Sequence, residues 1–464
     1  MDHLPKDCPF LYSSSINIYL VCYEPKKGIV YQITQAMCSI RTRKPVFFQS
    51  KTLKEVLMYY LGIDISKKSF TVSVLNEEGE AITKFLTFPC TGKGFEKLVD
   101  KISSLKLKKS EVIIGIEATG NLWENLYSFL EGYKVIILNP YQTRKYHQVL
   151  SKKAKTDKVD ALVIAGLLRS KEALASYVPE EEVQVLRELV RLRHHLQKDK
   201  KNYLRKAYSL LNLVFPEYTD FVKSPFKKVS SMILKKYPTA IHMARARRTD
   251  LVKMARRIKG NNYSSELAEK LIEAAKESIY SGKASEVRGM ALRIIIDQIE
   301  SLRNKIKEIE DKIEEILSSD EPSSPQKRLL KISGVGPKTV AAFLGEVGGD
   351  VSRFSSANKL IGFIGWHPRI SESGEKKNLH PKMSKRGPSA LRASLYMAAV
   401  ASLKHNPYLR SLYHRKISEG KESKQALICV GKKIISIMYS MLKYEADYDP
   451  QRIFFQFEKE PTLT

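Results

Sequence analysis

Residues 59–65, YYLGIDI, and residues 69–75, SFTVSVL, decide how this chain is read. Both runs are rich in β-branched and aromatic side chains and are bounded by turn-forming residues, so they predict two strands. Outward from them follow a turn at Glu77 to Glu80, a third strand in TKFLTF (83–88) and a helix over Gly94 to Ser103. Next come a strand in EVIIGIE (111–117), a helix from about Leu122 to Glu131, and a strand in KVIIL (134–138) that ends at Asn139-Pro140.

Three antiparallel strands followed by alternating helices and strands form an α/β layout with a mixed sheet, the element order of an RNase H-like domain. Beyond it the chain turns helical, starting with KTDKVDALVIAGLLR (155–169). After Pro179, Leu189, Leu196, Tyr203 and Leu210 recur at intervals of seven and make one apolar seam on a long helix. Residues 215–285 are basic and mostly helical by propensity, with RARR at Arg245 to Arg248.

A second long helix carries Leu292, Ile295, Ile299, Leu302, Ile306, Ile309, Ile313 and Ile316, spaced alternately by three and four with charges between them. That spacing predicts a coiled coil. Two partners satisfy it, another copy of the chain or the chain's own earlier helix. Pro322 and Pro325 end the helix, and the last unit reads as helical to about Ala446. The fold class expected is therefore α/β plus all-α.

The 464 residues leave room for two or three domains. Lys and Arg number 79 against 50 Asp and Glu, a formal charge of +29 that predicts a polyanionic partner. No continuous apolar run of about 18 residues competes as a membrane span, so nucleic acid is the partner expected. Five scattered cysteines without a CxxC pair read as reduced thiols of a cytosolic protein. Met1 to Lys54 show neither sustained helical period nor clean strand alternation, and Met58 is read as an alternative start, with a short disordered or accessory arm as the other reading.

Asp64 lies on the first strand and Glu117 ends the fourth, and in an RNase H-like sheet these strands are neighbours. Asp157 and Asp160 are three apart, which puts both on one face of a helix. Alone, each acid is an ordinary cap or solvated charge. Together they predict a cluster whose mutual repulsion calls for cations, two Mg²⁺ ions acting on a phosphorus centre.

GIDISKKSF (62–70), IEATGNLWE (116–124), the Asn-Pro after the fifth strand and KTDKVDA (155–161) resemble the DEDD transposases of the IS110 family of bacterial insertion sequences. LLKISGVGPKTV (329–340) and FIGWHPRISESGEKK (363–377) resemble that family's C-terminal transposase domain. The resemblance runs from about Met58 to Ala446. It implies an N-terminal extension (1–57), a RuvC-like DEDD catalytic domain (58–178), a helical and coiled-coil region (179–326), a C-terminal transposase domain (327–446) and a tail (447–464). It further implies that Asp64, Glu117, Asp157 and Asp160 hold metal, that Ser373 attacks DNA, that a structured RNA encoded by the element pairs with donor and target DNA, and that the protein works as a dimer or tetramer in the bacterial cytosol.

Residue physics alone leaves Ser371, Ser384 and Ser389 as competitors for the nucleophile, and only the resemblance singles out Ser373. A serine hydroxyl needs activation, which a metal or carboxylate supplies. Lys376, Lys377, Lys382, Lys385, Arg386 and Arg392 surround it and are the expected phosphate contacts. ISGVGPKTV (332–340) is similar to a helix-hairpin-helix turn, with a tight helix-helix turn as the alternative. A junction-resolving nuclease would use the four acids with water, and a non-catalytic transposase descendant would keep only the basic faces.

Overall fold

A computed structural model describes residues 58–150, 156–258, 263–318, 324–368 and 383–450, and the backbone alone of 19–23, 30–34, 372–373 and 376–377. The chain divides into two compact units, Met1–Val178 and Pro179–Thr464. In the N-terminal stretch, where the sequence shows no clean strand alternation, β1 (Tyr19–Tyr23) and β2 (Val30–Thr34) pair antiparallel.

The first unit is built on five strands, β3 (Tyr59–Ile65), β4 (Ser69–Leu75), β5 (Leu86–Pro89), β6 (Val112–Glu117) and β7 (Lys134–Leu138). Their order across the sheet is β5-β4-β3-β6-β7, with β4 antiparallel to both β3 and β5, and β6 parallel to both β3 and β7. Four helices accompany them, α1 (Gly92–Ser104), α2 (Leu122–Phe129), α3 (Pro140–Val149) and α4 (Asp157–Arg169).

Because side chains alternate across a strand, the sheet has two apolar faces. On one, Leu61, Ile63, Ile114 and Ile116 pack with Phe95, Leu98 and Ile102 of α1 and Leu126 of α2. On the other, Tyr60, Leu75 and Leu138 pack with Ile164, Ala165, Leu167 and Leu168 of α4. Glycines set how closely α4 lies on the sheet: a Cβ on Gly62 would stand 2.1 Å from the Ala161 carbonyl oxygen, and one on Gly115 would stand 2.7 Å from Leu168 Cδ1. Arg169, at the far end of α4, donates to the Glu77 carbonyl at 3.2 Å, near the end of the sheet where β3 begins. The helix therefore runs antiparallel to β3, with its N-terminus toward the carboxyl ends of β3 and β6.

In the second unit α5 (Glu181–Val214) and α11 (Ser285–Leu317) are the long helices, of 34 and 33 residues. They lie antiparallel, since Leu186 and Val190 share a core with Ile309 and Ile313 while Ala207 and Leu211 share another with Leu292, Ile296 and Ile299. The apolar stripe of α11 is thus buried against the chain's own earlier helix. Its buried members run Leu292, Ile296, Ile299, Leu302, Ile306, Ile309, Ile313 and Leu317, whereas Ile295 is half-buried and Ile316 is exposed. Between the long helices, α6 (Tyr218–Phe221), α7 (Lys228–Lys236), α8 (Ala240–Ala244), α9 (Arg248–Arg256) and α10 (Ser265–Lys276) complete one core.

The other core belongs to the C-terminal helices α12 (Pro325–Leu330), α13 (Pro337–Val347), α14 (Ala357–Ile364), α15 (Ser389–His405), α16 (Pro407–Ser418) and α17 (Ser423–Lys443), with the short strands β8 (Glu372–Ser373) and β9 (Lys376–Lys377) between α14 and α15. Of the described helices α17 alone is long and apolar enough to cross a membrane, and Val430, Ile434, Ile435 and Met438 on it are wholly buried in this core. Arg191 clamps α13 to α5 through two 2.9 Å hydrogen bonds to the buried Glu346 carboxylate.

Candidate functional site

Strand register brings the first two carboxylates together. Parallel pairing of β3 with β6 sets Gly62 opposite Gly115 and Ile63 opposite Ile116, and one step further along both strands lie Asp64 and Glu117. Each acid is two residues beyond a glycine that faces α4, so alternation points both to the α4 face. Both are half-buried there.

The first turn of α4 supplies the other two. Thr156 caps it, its Oγ1 accepting from the Val159 amide at 3.3 Å. Asp157 precedes Ala161, which meets Gly62, by one turn, and Asp160 precedes Ile164, which meets Gly115, by one turn. Since α4 runs antiparallel to these strands, stepping back one turn from each contact leads toward Asp64 and Glu117 respectively. Asp160 is half-buried and Asp157 exposed. Acids in a first turn also favour the positive end of the helix dipole.

The Glu117 carboxylate is held at both oxygens: Thr119 Oγ1 donates to Oε1 at 2.7 Å and Thr143 Oγ1 to Oε2 at 2.5 Å. Thr143 is buried on α3, a helix that the sequence patterning did not predict, and neither threonine was expected at the site. The signal was present in Asn139-Pro140: the Asn139 side chain accepts from the Tyr141 amide at 2.9 Å and Pro140 occupies the first helical position, a helix start rather than only a strand end.

Asp64 and Glu117 thus lie level at one end of one sheet face, and the first turn of α4, with Asp157 and Asp160, lies toward that same end. Among the described residues, however, no three His, Cys, Asp or Glu side chains gather closely enough to hold a metal ion. The donor chemistry fits a hard divalent cation, because it consists of carboxylates, one of which, Glu117, is oriented by hydroxyl donors in the way metal-ligating carboxylates are.

In the second unit, Ser373 lies on β8 and is paired with Lys376 of β9, while Glu372 is paired with Lys377. Ser371 and Lys382 lie outside the described residues. The base of this hairpin is tightly built. Lys385 N donates to the Gly365 carbonyl at 3.1 Å and Ser384 N to the His367 carbonyl at 2.8 Å. A Cβ on Gly365 would stand 1.9 Å from the Arg386 carbonyl oxygen. The buried Trp366 packs on Gly431 of α17, anchoring the hairpin's base to the core.

Of the competing serines, Ser384 is 2 % exposed and so has no access to a DNA phosphate, whereas Ser389 is exposed at the start of α15. The expected phosphate contacts also separate. Lys385 and Arg386 are exposed, but Arg392 donates to the carbonyls of Ile364 at 3.0 Å and Gly387 at 2.7 Å. Burial lowers its pKa. Arg392 is a brace for the hairpin's base.

Two family profiles match the chain. One, described as "Transposase" and of the DEDD IS110 type, covers residues 61–216, and the other, described as "Transposase IS116/IS110/IS902 family", covers residues 326–414. Both describe transposases, enzymes of DNA recombination. Within that class, the chain belongs to the IS110 family.

Among its relatives, the pilin gene-inverting protein of Moraxella bovis is 24% identical over 84% of this chain and 97% of its own length. The insertion element IS110 uncharacterized 43.6 kDa protein of Streptomyces coelicolor is 23% identical over 84% of this chain and 95% of its own length. The insertion element IS900 uncharacterized 42 kDa protein of Mycobacterium paratuberculosis is 27% identical over 64% and 73%.

Proposed function

We propose that this insertion-sequence transposase cuts and rejoins DNA with four carboxylates, Asp64, Glu117, Asp157 and Asp160, and a serine nucleophile, Ser373. The observation that carries the reading is the β3–β6 register, which sets Asp64 level with Glu117 on the face covered by the first turn of α4. The strand order, with β4 antiparallel and β6 and β7 parallel to β3, supports an RNase H-like, RuvC-like reading of the first unit.

The four acids would be the donors for Mg²⁺, two ions by analogy with other two-metal sites, and the chemistry supplied would be stabilisation of charge on the attacking and leaving oxygens of a phosphoryl transfer. The chain's own residues do the rest. Thr143 and Thr119 hold the Glu117 carboxylate in one orientation, and the α4 cap holds Asp157 and Asp160 on one face.

Ser373 Oγ forms a bond to phosphorus as the bond from phosphorus to a DNA sugar oxygen breaks, and the serine proton ends on the departing sugar oxygen. A DNA hydroxyl reverses the step on a new partner, so strands rejoin without ATP. The gene inversion in the Moraxella relative's name supports this reading, because inversion requires rejoining. Lys376, Lys377, Lys382, Lys385 and Arg386 bind phosphates beside the serine. By family resemblance the reading extends to an element-encoded guide RNA and to a dimer or tetramer.

The test is to trap the reaction on a nicked DNA substrate and map the adduct by mass spectrometry. The expected result is a phosphodiester link to Ser373, absent in Ser373→Ala although DNA binding persists. Recombination at the wild-type rate by Ser373→Ala would overturn serine catalysis, and an adduct on Ser389 would move it.

A further inference from the structure

We infer that the groove between α5, the turn leading into α13, and α15 binds a single-stranded segment of nucleic acid, with phosphates on its cationic rim and bases on its apolar floor. The groove encloses about 1030 Å³, and among the described residues no acidic side chain lines it. Arg193, His194, Lys198, Lys200 and Lys201 of α5 form one rim, and Lys338 the other.

Of these, Arg193 and Lys338 are fixed from behind by Glu310, each at 2.6 Å. Burial raises the pKa of Glu310, but the hydrogen bonds from Lys338 and Arg193 outweigh it and hold the carboxyl below its ordinary range. Among the described residues Lys198, Lys200 and Lys201 form no salt bridge, and all three line the groove. Burial first, and then the Arg303 guanidinium, lowers the Lys200 pKa, with the Glu310 carboxylate acting the other way. Burial and then His195 likewise depress His194, which leaves the lysines and arginine to carry the rim's charge at neutral pH.

The floor differs in kind. Ala393, Met397 and Ala401 recur every fourth residue along α15, with Tyr396 beside them. The two alanines flank Met397 on an apolar strip, and Met397 is 61% exposed upon it. Gly334, at φ +94°, fits against Ser402 where a Cβ would stand 2.5 Å from its Oγ, which locks the turn to α15. A Cβ on Gly336 would meet nothing within 4 Å, so the backbone there is uncovered.

Phosphates alone would explain the rim, but not the floor. A duplex keeps its base faces stacked inward, whereas a single strand turns them outward onto apolar and aromatic surfaces while its backbone tracks the cations. The inference rests on the proposed reading only in taking nucleic acid as the substrate class.

The test measures binding by the full chain, without cleavage, to labelled oligonucleotides of one sequence as single-stranded DNA, single-stranded RNA and duplex DNA. Lys198→Gln/Lys201→Gln and Met397→Glu change exposed positions, and circular dichroism checks their folding. Each is expected to weaken single-strand binding by about tenfold or more. The lysine variant should also make the salt dependence shallower by about 1.4 in log–log slope, about 0.7 for each phosphate no longer neutralised. Duplex affinity should change little. A stronger effect on RNA or on DNA identifies which strand the groove holds. Wild-type single-strand affinity in both variants, or equal losses for duplex and single strand, would overturn the inference. Mg²⁺-dependent cleavage by Asp64→Ala would instead sink the carboxylate reading and leave the binding result standing.

Discussion

Thr143 donates its hydroxyl to Glu117 Oε2 at 2.5 Å, joining a buried position on α3 to the last residue of β6. One oxygen of a proposed metal ligand is thereby oriented from the next helix but one in the chain, and Thr119 orients the other at 2.7 Å.

Thr143→Val keeps the shape and removes that donor. The expected outcome is a folded protein whose Mg²⁺ requirement for DNA cleavage rises by about 10–100-fold, the usual cost of losing a partner that orients a ligand. Thr143→Ser should restore it. A Mg²⁺ titration of cleavage distinguishes this from a packing defect, which would lower thermal stability while leaving the midpoint in place.

Gly62→Ala should loosen α4 from the sheet, because the new Cβ would lie 2.1 Å from the Ala161 carbonyl and 2.4 Å from the Ala165 amide nitrogen, both backbone atoms. Overpacking of this kind costs about 1–3 kcal/mol. Gly92→Ala, where a Cβ meets nothing within 4 Å, is the control and should be neutral or better. Chemical denaturation of the two variants checks the contrast, and equal stability would mean that α4 has room to shift.

Ile299→Ala and Ile306→Ala should each destabilise the fold by about 2–5 kcal/mol without lowering the mass seen by light scattering. Both side chains are buried, at 1% and 5% exposure, on a helix that packs against α5 of the same chain, and Ile299 shares a core with Ala207 and Leu211 of α5. Dissociation to a smaller species with unchanged thermal stability would mean that the stripe serves another copy.

Acid should weaken the junction of α5, α11 and α13 through Glu310. Its folded pKa lies below the unfolded value, so the folded state binds fewer protons and the carboxylate's contribution is present above the unfolded pKa. That contribution is lost as pH falls through the folded pKa. Glu310→Gln should therefore be less stable than wild type at neutral pH, with the difference shrinking below about pH 4, near the ordinary carboxylate value. A constant difference across a pH series of thermal melts would contradict this linkage.

The sequence by itself determined the strands, and with them the acids. β-branched and aromatic runs marked β3, β4, β6 and β7 almost to their ends, because side-chain alternation is a local property of two-residue steps. Asp64 and Glu117 were legible as strand-end acids, and Asp157 and Asp160 as one helical face, for the same reason. Tertiary structure decided what these local patterns meet. The stripe on α11 has the same spacing whether its partner is another chain or its own α5, since apolar surface is non-directional, and only the fold chose α5. Arg392 and Arg386 are both arginines near a serine in the sequence, yet one braces carbonyls from inside while the other is exposed. Thr143 is 26 residues from Glu117, and the groove at Lys198 and Met397 draws on helices nearly 200 residues apart. Hydrogen bonds and cavities of that kind depend on distances set by packing, and no periodicity along a chain carries them.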